Sequence, residues 1–85
     1  MPTDTLTGAE FEVARFLASG PTPQEIIAFR LSPTSTDRFY ALVAAEREGQ
    51  LSGDEQRELD AFMNVEHMMR LIKAEAHKRL ASQAS

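Results

Sequence analysis

Between Leu51 and Leu80 the apolar residues Leu59, Phe62, Val65, Met69, Ile72, Ala76 and Leu80 recur at spacings of three and four. That spacing places them on one face of an α-helix. The run contains no proline and no glycine after Gly53. Ser52 followed by Glu55 forms a Ser-x-x-Glu capping box, which predicts the helix start. A fully helical run of this length spans about 45 Å at 1.5 Å per residue.

Three shorter helices are predicted before it. Thr7-Gly8-Ala9-Glu10 is a capping box ahead of Phe11, Val13, Phe16 and Leu17, and Gly20-Pro21 ends that segment. Thr22-Pro23-Gln24-Glu25 is a second box, with proline at the first helical position, where no N–H is needed. Behind it lie Ile26, Ile27, Phe29 and Leu31, in a helix too short to hold without tertiary packing. Ser32-Pro33 opens a third helix over about 33–48, with Phe39, Leu42 and Val43 inward and Tyr40, Ala44 and Ala45 alongside. Gly49 stops it, and so short a link to Ser52 predicts an antiparallel hairpin of the third and fourth helices. The expected fold is an all-α, four-helix single domain built on that hairpin, fraying at residues 1–6 and 82–85.

The hairpin leaves a remainder. A third helix of about 24 Å covers only the first half of a 45 Å rod. The other half carries Met68, Met69, Leu71 and Ile72, which span an arc of about 160°, wider than one neighbouring helix hides. Either the first two helices fold over this patch or another polypeptide does. Methionine-rich surfaces adapt to partners, although methionine at this spacing more often fills a core.

Composition narrows the functional classes. With 85 residues and 42% hydrophobic content the chain matches one small globular domain. The absence of cysteine excludes disulfides, thiolate metal sites and a cysteine nucleophile. The first ten residues have neither the basic start nor the apolar core of a signal peptide, and a cytoplasmic protein is expected. A net charge of −4 argues against a protein built chiefly to neutralise phosphates. The charge is uneven: residues 1–60 hold eleven acids against five arginines, whereas 61–85 hold Glu66 and Glu75 against Arg70, Lys73, Lys78 and Arg79. Complementing a helix dipole explains that basic end, and docking an acidic partner is the sharper alternative.

Nothing points to catalysis. His67 and His77, ten apart on one helix, lie about 15 Å apart along its axis and cannot share a metal. Asp54, Glu55, Glu58 and Asp60 crowd a helix N-terminus, where the macrodipole explains them without an acid/base pair. Gly49 and Gly53 are turn glycines with no phosphate loop around them. No enzyme, cofactor or metal is expected.

The segments PTPQEIIAFRLS and EREGQLSGDEQRELDAFMNVEHMMRLIKAEA resemble small uncharacterised bacterial proteins, frequent in cyanobacteria. Their pattern is P-x-x-x-I-x-A-F, then E-x-G-x-L-[ST]-x-x-E-x-x-E-L-[DE], then a long E-H-[LM]-[LM]-x-L-x-K-A helix. The resemblance covers residues 21–80. Thr22 stands at the first proline of that pattern, Arg47 at the glutamate before its glycine and Gly53 where it usually has a further proline, and the helix at 7–19 has no counterpart. Such proteins are often encoded beside a nuclease or toxin-like gene, so the resemblance implies an antitoxin-like accessory or inhibitor. The expected contact surface is Met68, Met69, Leu71 and Ile72, with Arg70, Lys73, Lys78 and Arg79 as its basic part. The alternatives are a self-associating homodimer and a nucleic-acid-associated regulator that uses the same four cations.

Overall fold

The computed structural model describes residues 8–84, which form α1 (Gly8–Ala18), α2 (Pro23–Ala28), α3 (Pro33–Arg47) and α4 (Gly53–Ala84). No strand occurs among the described residues, so the fold is all-α. Local chemistry sets most of the boundaries. At Thr22 the hydroxyl accepts the Glu25 N–H at 3.2 Å, and the Glu25 carboxylate accepts the Thr22 N–H at 2.8 Å. Ser52 and Glu55 repeat this box at 3.1 and 3.0 Å. The box expected at Thr7 lies outside the described residues. Pro23 and Pro33 each occupy the first turn of their helices.

The stop after α3 is a Schellman motif. Gly49 takes a φ of 68°, the Gly49 N–H donates to Glu46 O, and the Gln50 N–H donates to Ala45 O at 2.9 Å. The stop after α1 is half of one. Gly20 has φ 72° and donates to Leu17 O, but the next residue is Pro21, which has no N–H to close the second bond.

All three preceding helices pack on α4. Every member of the α4 apolar stripe is buried or half-buried, from Leu59 to Leu80. Ala9, Leu42, Leu59 and Phe62 make the core, with Leu31, Phe39, Val43, Leu51 and Val65 against it. Phe39 of α3 meets Phe62 of α4 with ring centroids 5.6 Å apart. Beside that contact, Arg38 clamps Glu58 through Nε and a terminal nitrogen, both at 2.8 Å. Phe16 of α1 stacks on Phe29, just past α2, at 4.4 Å. The molecule measures 51 × 32 × 18 Å, its long axis matching the length of α4. Its radius of gyration of 15.1 Å exceeds the roughly 12 Å of a compact chain this long.

The distal half of α4 departs from the expectation of one continuous patch. Contacts from α1 and α2 reach α4, and Met69 retains only 6% of its exposure, with Ile72 half-buried. Met68 and Leu71 stay 53% and 51% exposed. Tyr40, expected beside the inward residues of α3, is 64% exposed. The helix itself continues through residues 82–84 to Ala84.

Candidate functional site

Successive helical residues are turned about 100° from one another, so neighbours in sequence can have opposite fates. Met68 and Met69 do. Met69 faces inward with the stripe, whereas Met68 and Leu71, three apart, share a strip of outer surface. Glu75 and Lys78 continue that strip one and two turns beyond Leu71, paired to each other at 3.2 Å.

The eight residues expected to form one contact surface therefore separate. Met69 is buried and Ile72 half-buried, which takes both out of any continuous exposed face. Lys73 is half-buried too, and its Nζ donates to the Phe29 carbonyl at 2.9 Å, closing the C-terminus of α2. Burial, then the nearby Arg30 charge, pushes the Lys73 pKa down, against an opposing pull from Glu66. Arg70 is exposed but turned about 160° away from Met68, so it does not edge the Met68–Leu71 strip. Lys78 and Arg79 are exposed. What remains as one surface is Met68 and Leu71, with Lys78 and Arg79 toward the C-terminal end.

The acids at the start of α4 all have structural partners. Glu55 completes the cap, Glu58 holds Arg38, Asp54 pairs with Arg57, and Asp60 accepts from Gln56 at 3.1 Å. Arg38 holds the Glu58 carboxyl below its ordinary range, more than burial raises it. His67 and His77 are both exposed, and no group of three metal-ligating side chains occurs among the described residues. No described helix is long and apolar enough to cross a membrane.

Two arrangements have no counterpart in the sequence reading. The first is a knot at the start of α3. Glu12 of α1 accepts the Ser32 N–H and the Ser32 hydroxyl, each at 2.7 Å, and also the Ser35 hydroxyl. Burial alone would raise the Glu12 pKa; the hydrogen bonds from Ser35 and Ser32, with Arg15 nearby, outweigh it and hold the carboxyl below its ordinary range. Ser35 stands where a capping box would have Glu, and that vacancy was the legible signal.

The second is a cavity of about 260 Å³ where the segment after α2 meets α3 and α4. Phe29, Leu31, Phe39, Phe62, Val65 and Met69 give it an apolar lining, and Arg30, Lys73, Glu66 and Tyr40 stand around it. Phe29 and Leu31 are half-buried and Arg30 is exposed, the alternation of an extended segment. The run Phe-Arg-Leu after α2 carries that signal. A depression of about 590 Å³ between α3 and α4, bordered by Tyr40, Val43 and Met63, carries two acids and one cation, Glu46, Asp60 and Arg47, where the first has two cations and one acid.

No family model, curated protein or solved structure matches the chain.

Proposed function

We propose that this chain is a small cytoplasmic protein-binding module, an antitoxin-like accessory or inhibitor of a nuclease. The α3–α4 pair would act as an antiparallel hairpin scaffold, a reading favoured by the Phe39–Phe62 and Arg38–Glu58 contacts. The observation that carries the functional reading is the exposure of Met68 and Leu71 as neighbours on the helix that every other element buttresses. Large apolar side chains side by side on a braced helix suit a partner's groove or helix. Arg79 adds positive charge toward an acidic target, and Lys78 does so only by leaving its pairing with Glu75. The nuclease itself enters only through the resemblance of residues 21–80.

The test is a Met68→Gln/Leu71→Gln variant in co-purification with the product of a neighbouring nuclease-like reading frame. Binding should be lost while the melting temperature stays nearly unchanged. A large fall in melting temperature with binding intact would mean that these side chains belong to the core.

A second reading is self-association. Glu75 and Lys78 lie on the same strip as Leu71, and their opposite charges make it complementary to a second copy of itself about a two-fold axis. A solution mass that rises with concentration, and falls to the monomer in the same double variant, distinguishes this reading. Nucleic-acid binding draws less support, because Lys73 is engaged with Phe29 and Lys78 with Glu75. Steep weakening of DNA binding with salt would favour it.

A further inference from the structure

Arg30 and Lys73 donate to the same oxygen, the Phe29 carbonyl, at 2.8 and 2.9 Å. The two cations can be no further apart than those two bonds laid end to end. A neutral carbonyl and the end of a six-residue helix offset their repulsion only in part, and the arginine also reaches Ile27 O at 3.3 Å. Neither cation has a salt-bridge partner among the described residues. Glu66 attracts Lys73 from beyond contact distance. Both cations keep N–H donors to spare, since a guanidinium and an ammonium each offer more than these bonds use. Both also border the apolar cavity, whose lining includes the buried Phe62 and Met69.

We propose that this cavity binds a short apolar carboxylate, with the alkyl chain among Phe29, Phe39, Val65 and Met69 and the carboxylate between Arg30 and Lys73. The size limits the occupant. At 260 Å³ the space lies just below the usual range for drug-sized ligands, and it cannot admit a helix about 10 Å across. The charge sets the head group. A carboxylate replaces like-charge repulsion with charge-assisted hydrogen bonds and restores the favourable surroundings that burial removes from Lys73. The site lies on a different side of α4 from Met68 and Leu71, so it does not depend on the protein partner.

The experiment is titration of the isotopically labelled full chain with octanoate, 1-octanol and acetate, read by amide chemical shifts. Octanoate should move Arg30, Leu31, Thr36, Tyr40 and Lys73, and should bind about tenfold or more tighter than 1-octanol at low salt. Acetate should bind more weakly than either. Arg30→Gln alters an exposed side chain outside the core and should remove most of the preference for the acid. In the unaltered protein, added salt should weaken octanoate and leave 1-octanol unchanged. Equal binding of acid and alcohol, an Arg30→Gln variant with its preference intact, or shifts confined to the Met68–Leu71 strip would each overturn the assignment. So would a blocked Glu-Phe peptide that moves these amides when octanoate does not, since the occupant would then be polypeptide.

Discussion

Glu12, on the first helix, accepts the backbone N–H of Ser32 at 2.7 Å and so caps the third helix from twenty residues away. A capping box places its acid at the third helical position, where this chain has Ser35. The function of the box is retained, but the acid comes from another element. Because hydrogen bonds to a charged, half-buried group contribute about 1.5–3 kcal/mol, Glu12→Ala should lower unfolding stability by roughly that amount in a urea titration. A change near zero would mean that water replaces the carboxylate without cost.

The same carboxyl gives the fold a pH dependence. Its folded pKa lies below the ordinary 4.5, as does that of Glu58. A lowered acid contributes stability that is present above its unfolded pKa and is lost as pH falls through the folded value. Stability should therefore decline on acidification below the ordinary carboxylate range. Glu12→Gln should flatten part of that decline, and denaturant titrations between neutral and acid pH would measure it. An unchanged slope in the variant would show that Glu12 does not couple to folding.

Phe62 touches Phe39 across the core and is 2% exposed. Truncation of a buried phenylalanine costs about 3–5 kcal/mol. Small domains have stabilities that start near 5 kcal/mol, so Phe62→Ala should leave much of the protein unfolded at room temperature. Circular dichroism should report the lost helix. A loss below about 1 kcal/mol would contradict the packing described for this residue.

The Arg38–Glu58 clamp should behave differently. Both side chains are partly in water, at 46% and 28% exposure. Exposed ion pairs contribute about 0.2–1 kcal/mol, so a double-mutant cycle on the two positions should return a coupling in that range. Added salt should reduce it further. A coupling of several kcal/mol would require far deeper burial than the structure has.

What the sequence made legible was local. Thr22 with Glu25, Ser52 with Glu55, the two N-terminal prolines and Gly49 all act within four or five residues, and each does what its chemistry implies. The α4 stripe was equally plain, because one periodicity dictates which residues face inward. The distal patch was harder to read. Periodicity puts Met69 on the stripe and Met68 off it, but only the placement of α1 and α2 shows how much of the surface beside the stripe stays uncovered. Arg70, by contrast, could have been separated from Met68 by counting degrees around the helix. Glu12 and the paired cations at Phe29 depend on contacts across 20 and 44 residues, which no periodicity encodes.

The order of elements has a consequence for synthesis. The helix on which the other three pack is translated after all of them, and its buried residues run from Leu59 and Phe62 near its start to Ala76. At about 5–20 residues per second, the first three helices wait several seconds on the ribosome with their apolar faces in water. None of them is long enough to persist alone, the second least of all. The earlier helices therefore meet their core partners Leu59 and Phe62 only once the start of α4 has emerged, and they stay open to chaperones or to a partner until then.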